Sequence, residues 1–302
     1  MVLKSTGSWY SVLTDNKILN CKVTGKLRIL DIKSTNPVAV GDWVNIEEVD
    51  SNTGVIKDIF DRKNYIIRKA SNLSKQSHVI AANVDQVILV ITLAFPETSL
   101  EFIDRFLATC EAYRIPAIIA VNKIDLYAET LKRLLTELHN IYEPNGYQVI
   151  EVSALSGHNL SELKFKLKDK VSVLSGNSGV GKSTLINSLY PNFNLKVGEI
   201  SDYHMKGKHT TTFAEMFSLP EGGYIIDTPG IKGFGMVHMQ KEEIYHFFPE
   251  IFKHASKCQY NNCLHVEEPN CAVKLAVEKE EIYLSRYNSY LSIINDENSK
   301  YR

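Results

Sequence analysis

Hydrophobic and polar positions follow two rhythms along this chain, and the change falls near residue 85. Up to about residue 70, short β-branched segments alternate apolar with polar side chains, as in Trp9-Tyr10-Ser11-Val12-Leu13, Lys26-Leu27-Arg28-Ile29-Leu30 and Asp42-Trp43-Val44-Asn45-Ile46. Turn clusters at Asp15-Asn16 and Asp50-Ser51-Asn52-Thr53-Gly54 separate them. A period of two marks strands with one buried face, and four or five strands in so short a span predict a small OB-type barrel over residues 1–72. From Asp85 the chain changes to long strand–helix alternation. Gln86-Val87-Ile88-Leu89-Val90-Ile91-Thr92 is a nearly continuous apolar run, the pattern of a parallel strand buried on both faces. Leu100, Ile103, Phe106, Leu107 and Cys110 recur at helical spacing, which places the Cys110 thiol in a core rather than at a reactive site. Strands at 117–121, 148–152 and 171–174, with helices near 129–141 and 160–167, complete a doubly wound sheet over 73–236 whose ligands belong at the strands' carboxyl ends. After residue 240 the pattern turns helical around a cysteine-rich loop, giving a third unit over 237–302.

The chain has 302 residues, 44% hydrophobic and 23% charged, enough to divide into two or three domains. No apolar run reaches the length that crosses a bilayer, and the start Met1-Val2-Leu3-Lys4-Ser5-Thr6 has no secretory pattern. A cytoplasmic monomer without membrane contact is expected. A formal net charge of −1 excludes a globally basic nucleic-acid binder, so any RNA contact comes from local patches. Two are visible: Lys17, Lys22, Lys26 and Arg28 within one hairpin region, and Arg62, Lys63, Arg68, Lys69 and Lys75 in a stretch without a carboxylate. A solvated basic face and an RNA contact both account for them.

The chemistry centres on Gly176-Asn177-Ser178-Gly179-Val180-Gly181-Lys182-Ser183, between an apolar strand and the helical run Thr184-Leu185-Ile186-Asn187-Ser188-Leu189. Backbone N–H groups can curl around phosphate oxygens only where glycines let the main chain bend that tightly. Lys182 is placed to reach the β- and γ-phosphates, and the Ser183 hydroxyl to ligate magnesium at the helix N-terminus. Asn122-Lys123-Ile124-Asp125 follows another strand at the same sheet edge. Guanine presents N1–H and an exocyclic amine side by side, and the Asp125 carboxylate can accept both; adenine would leave it unpaired. Asn122 would bridge loops, the Lys123 stem would cover the ring, and Ser153-Ala154 would close over the base through a backbone N–H. Downstream, Asp227 in Asp227-Thr228-Pro229-Gly230 would hold magnesium through water, with the Gly230 N–H sensing the γ-phosphate. Thr211 or Thr212, within Gly207-Lys208-His209-Thr210-Thr211-Thr212, would reach metal and γ-phosphate from a loop that orders around the triphosphate.

In ordinary GTPases the base-reading motif follows the phosphate loop. Here Asn122 precedes Gly176, so the reading is a circularly permuted P-loop GTPase domain, its pocket kept because the loops at one sheet edge survive rewiring. The five cysteines include three between residues 258 and 271, and Cys258, Cys263, His265 and Cys271 form a closed set suited to one structural zinc, against the alternative of unligated core cysteines. A P-loop small-molecule kinase would leave Asn122 to Asp125 without a purpose. A non-catalytic RNA-binding scaffold would show no hydrolysis.

Barrel, permuted GTPase and Cys3His loop together resemble the ribosomal-small-subunit-dependent GTPase family, also called RsgA or YjeQ. The resemblance rests on Asn122 to Asp125, Gly176 to Thr184, Gly207 to Thr212, Asp227 to Gly230 and the four sulfur and imidazole ligands. It implies GTP hydrolysis to GDP in late maturation of the 30S subunit, contact with that subunit's ribosomal RNA, and turnover stimulated by the particle. One position bears on the trigger: where many GTPases carry a water-orienting glutamine after the Asp-x-x-Gly turn, this chain has Ile231. Slow turnover by the isolated protein is expected. His238, in Gly233-Phe234-Gly235-Met236-Val237-His238, is either the group that positions water or a surface histidine.

Overall fold

The computed structural model describes residues 1–15, 17–25, 37–69, 77–193, 214–227 and 240–295. The predicted strand Lys26–Leu30 lies outside the described residues.

Strands β1 (Val2–Ser5), β2 (Tyr10–Leu13), β3 (Ile18–Val23), β4 (Val44–Glu48) and β5 (Thr53–Ile59) run in the order β1-β2-β3-β5-β4, antiparallel except for the parallel β3–β5 pair. The ends meet where Val2 N–H donates to the Asp42 carbonyl and Gly41 N–H donates to the Val2 carbonyl, both at 2.9 Å, which closes the barrel. Alternation sends Tyr10, Val12, Leu19, Cys21 and Ile56 inward with Val2 and Val38. Asp42, fully buried, accepts a two-pronged bond from Arg62 at 2.7 Å on each oxygen and the Ala39 N–H at 2.7 Å. Arg62 therefore belongs to the barrel's interior bonding rather than to a basic face, and Lys63 pairs with Asp85.

A hairpin of β6 (Tyr65–Lys69) and β7 (Ser77–Ala82) follows, its strands pairing across residue 72, and Ala82 N–H donates to the Val40 carbonyl at 2.8 Å. The second sheet comprises β8 (Gln86–Ile91), β9 (Ala117–Val121), β10 (Gln148–Glu151), β11 (Val171–Ser175), β12 (Glu215–Ser218) and β13 (Tyr224–Asp227), ordered β10-β9-β8-β11-β13-β12 and parallel except for β12. All of β8 is buried: Val87, Leu89 and Ile91 face one core and Ile88 and Val90 the other. Helices α1 (Leu100–Ala112) and α2 (Glu129–Tyr142) cover the first face, α3 (Leu160–Leu167) and α4 (Lys182–Leu189) the second. This is the doubly wound arrangement. Its edge strand β12 pairs antiparallel with β1 at Glu215 and Lys4, joined by a 2.8 Å ion pair, so barrel and parallel sheet form one run of eleven strands.

The last described segment opens with a 3-10 turn at Lys241–Phe247, then α5 (Pro249–Ala255), α6 (Ala272–Glu278) and α7 (Leu284–Asn295). Their core of Ile244, Phe248, Ile251, Val273, Tyr290 and Ile293 takes in Ala108 of α1. At that seam lies a buried charge network. Arg286 donates to Glu250 at 2.6 and 3.2 Å and to Asp104 at 2.9 Å, while Tyr142 and Ser289 hydroxyls donate to Asp104 at 2.7 and 2.6 Å. Arg286 is 1% exposed and its guanidinium lies 4.7 Å from the Phe248 ring centre. Burial pushes the Asp104 carboxyl up, and the Arg286 charge opposes it.

Candidate nucleotide pocket and metal centre

The phosphate loop leaves β11 at Ser175 and enters α4 at Lys182. Gly176 has φ +142°, and a Cβ there would stand 2.0 Å from the Val90 carbonyl oxygen; the turn passes too close to β8 for any side chain. At Gly181, φ is +95° and a Cβ would meet the Asn122 amide nitrogen at 2.6 Å. The Lys182 ammonium sits in the curl of this loop, donating to the Gly176 and Asn177 carbonyls at 2.8 Å each, and Ser183 is buried in the first turn of α4.

The loop after β9 is tied directly to it. Asn122, 1% exposed, donates through Nδ2 to the Val180 carbonyl at 2.9 Å and accepts the Ala154 N–H through Oδ1 at 3.1 Å, so one side chain joins three loops. Lys123, at φ +66°, reaches back to donate to the Gly179 carbonyl at 2.8 Å and to the Phe95 carbonyl. Asp125 is exposed, and its Oδ1 accepts the Ser153 hydroxyl, which itself accepts the Ser156 N–H at 2.9 Å. The Ser188 hydroxyl of α4 donates to the Ala154 carbonyl at 2.8 Å.

Two supports escape motif reading. The buried Tyr127 hydroxyl donates to the Asn122 carbonyl at 2.9 Å and accepts the Leu93 N–H at 2.8 Å. Pro96, in the loop between β8 and α1, is the nearest neighbour of a Cβ built at Gly179, at 3.3 Å. No sequence signal distinguishes these residues, because Tyr127 ties Asn122 to Leu93, 34 positions before it, and Pro96 meets Gly179 far along the chain.

Of the remaining nucleotide-site residues, Asp227 ends β13 but its side chain is outside the described residues, as are Thr211, Thr212, Gly230, Ile231 and His238. The structure thus brings together Asn122, Lys123, Asp125, Ser153, Ala154 and the whole run from Gly176 to Thr184. It places the phosphate loop on a central strand later in the chain than the base-side strand β9, which is the permuted order.

Cys258, Cys263, His265 and Cys271 converge so that their donor atoms all lie within 4.8 Å of one another. Sulfur separations are 3.9 Å for Cys258–Cys271 and 3.8 Å for Cys263–Cys271, and His265 Nδ1 stands 3.5 Å from both Cys258 and Cys271. A tetrahedral ion with metal–sulfur bonds of about 2.3 Å requires sulfurs about 3.8 Å apart, so the residues fit a metal ion. The surrounding bonds hold the ligand loop: Glu268 accepts the Leu264 and Val266 N–H groups at 2.6 and 2.9 Å, and Tyr290 and Tyr287 of α7 donate to the Leu264 and His265 carbonyls at 2.6 Å each. Burial pushes the Cys263 and Cys271 thiols up, so a cation among the ligands is what would favour their thiolate forms. Cys21 and Cys110 are buried elsewhere.

A family model described as RsgA GTPase matches residues 59–237, and one described as RsgA N-terminal domain matches residues 1–56. The chain is 56% identical to the small ribosomal subunit biogenesis GTPase RsgA of Phocaeicola vulgatus, over 100% of this chain and 98% of that one. Its identity to the counterpart from Bacteroides fragilis is also 56%, with the same coverage. Among solved structures, YjeQ from Thermotoga maritima superposes with a TM-score of 0.81 at 35% identity, covering 98% of this chain and 96% of that one. YloQ, a circularly permuted GTPase, superposes with a TM-score of 0.76 at 30% identity, covering 98% and 93%.

Proposed function

The chain belongs to the RsgA family of circularly permuted GTPases, and from that premise we propose that it is a biogenesis factor of the small ribosomal subunit, slow in turning over GTP alone and accelerated by the subunit. The observation that carries the nucleotide reading is the Asn122 side chain, bonded to the phosphate loop on one side and to the Ser153-Ala154 loop on the other. That clamp has a purpose only where base and phosphates are held together.

The roles proposed for the pocket follow. Asp125 accepts the paired guanine donors, the Lys123 stem covers the ring, and Ala154 borders the base edge. Backbone N–H groups from Asn177 to Thr184 and the Lys182 ammonium hold the phosphates. Magnesium accompanies GTP, held by Ser183 and Asp227, and supplies neutralisation of the charge that develops on the phosphates. Thr211 or Thr212 and the Gly230 N–H attend the γ-phosphate, and His238 positions water in place of the glutamine that Ile231 replaces. The metal of the Cys3His cluster is one structural zinc with no open ligand position. The units 1–72, 73–236 and 237–302, the first boundary falling within the β6–β7 hairpin, then serve as barrel, nucleotide engine and metal domain, of a monomer working in the cytoplasm on the subunit's ribosomal RNA.

The test is GTP turnover by purified protein alone, with small subunits and with large subunits, against ATP as competitor. Stimulation by small subunits only, with ATP failing to compete, supports the reading; equal rates in all three conditions would sink it. The same assay on His238→Ala separates lost stimulation with retained binding from no role at all.

A further inference from the structure

Beside the metal cluster the surface opens into a cavity of about 390 Å³, large enough for one nucleotide. Three metal ligands, Cys258, Cys263 and His265, form part of its lining, and aromatic rings of Tyr245, Phe252 and Tyr260 supply much of the rest. Tyr245 and Phe252 lie nearly parallel, their planes 28° apart at 6.2 Å between centres. Phe252 is 53% exposed and Tyr260 44%, so each ring keeps part of its surface open to water, the Phe252 ring also meeting that of His246 at 5.2 Å and 87°.

The polar atoms around these rings are also uncommitted. Among the described residues no ion pair engages the Lys253 ammonium, and no hydrogen bond engages the Asn261 amide or the Tyr260 hydroxyl; all three residues line the cavity. The lining carries one cation and no carboxylate. Glu250, the acid on the same helix as Phe252 and Lys253, is turned inward and bound by Arg286.

From these features we propose that the cavity captures one unpaired nucleotide of RNA. The base would stack on Phe252 and Tyr260, Asn261 would hydrogen-bond its edge, and Lys253 would pair with the adjoining phosphate. Aromatic faces accept any base, an amide offers both donor and acceptor to a base edge, and a lone lysine suits one phosphodiester. Paired A-form RNA presents no base face to such a cavity. The Gln259-Tyr260-Asn261-Asn262 segment lies between two metal ligands, so it is held in place before binding and little ordering is required when RNA arrives. The metal thereby does more than staple a small core: it presents a reading loop. This proposal depends on the functional reading above only for the ribosomal source of the RNA.

The test uses metal-loaded full-length protein and a fluorescein-labelled single strand of about seven nucleotides, with the duplex of the same sequence as control. Binding by anisotropy is measured for Phe252→Ala, Tyr260→Ala, Tyr260→Phe, Asn261→Ala and Lys253→Glu, alongside metal content, basal GTP turnover and small-subunit binding. The two ring deletions should each weaken the single strand roughly five- to a hundredfold, while Tyr260→Phe stays within about twofold of wild type. Lys253→Glu should also lower the slope of log affinity against log salt by roughly 0.7, the share of one phosphate on a single strand. Metal content and basal turnover should not change. If Tyr260→Ala loses metal, Lys253→Glu and Asn261→Ala, exposed and outside the ligand set, carry the measurement. Single-strand affinity unchanged in every variant overturns the proposal even when small subunits bind and stimulate normally. Loss of subunit binding with intact single-strand binding also overturns it, assigning the cavity to a protein segment. Ring-dependent single-strand binding with subunits that neither bind nor stimulate would uphold the cavity and remove the ribosomal reading.

Discussion

Asp125 keeps one oxygen on the Ser153 hydroxyl and stands exposed at the mouth of the pocket, so its other oxygen is free to meet a base. Asparagine at this position would still accept from Ser153 and would turn an N–H toward the base. Asp125→Asn is therefore expected to weaken GTP roughly a hundredfold and to favour xanthosine triphosphate, whose C2 carbonyl accepts that donor, as measured by competition binding. Ser153→Ala removes the orienting bond to Asp125 and the acceptor of the Ser156 N–H. About 1 kcal/mol, or roughly fivefold in GTP affinity, should be lost with guanine preference intact, and calorimetry would read it. These residues are legible in the sequence because their chemistry is carried by type and spacing. The rest of the clamp is not: Tyr127 matters through a hydroxyl shared between Asn122 and Leu93, and Arg62, which belongs to a basic run on paper, is committed to buried Asp42.

At the scale of elements, the strands and helices around the pocket follow the hydrophobic pattern closely, since each must bury a stripe or a face. α4 starts at Lys182, ahead of its apolar run, because the glycine turn hands the chain directly into helical geometry. Closure of the barrel is not legible, because the parallel β3–β5 pair and the bonds from Val2 to residues 41 and 42 join distant segments that no periodicity connects. The metal loop behaves as an element of its own. In the metal-free fold the Cys263 thiol, raised by burial to about 12, contributes stability that is fully present below the ordinary thiol range and is lost as pH rises through the folded value. Metal reverses the demand, since it needs thiolate. Occupancy should accordingly fall as pH is lowered from about 7 to 5, with proton uptake accompanying release, and a chromophoric chelator would follow it. Cys258→Ser should empty the site and raise hydrogen exchange across 258–271 while the amides of β8 and β9 stay protected; retained protection of the ligand loop would contradict stapling.

For the whole molecule, the seam between the nucleotide sheet and the metal domain is governed by Arg286, the cation shared by buried Asp104 and Glu250. Arg286→Met would leave two carboxylates desolvated without it, and a loss of about 3–5 kcal/mol is expected in urea unfolding, restored in large part when Asp104→Asn and Glu250→Gln are added. The sequence gives this seam no motif, because its three charges come from helices far apart in the chain. The pairing of β1 with β12 reaches further. Among the described residues β1 meets β12 only at Glu215, opposite Lys4, and without the barrel that partner too would go, leaving β12 with no neighbour on its outer side. A chain starting near residue 84 should thus self-associate through that edge, growing with concentration in light scattering, whereas the full chain stays dispersed. Growth of that kind would make the barrel, in colloidal terms, the guard that keeps the enzyme from sticking to itself.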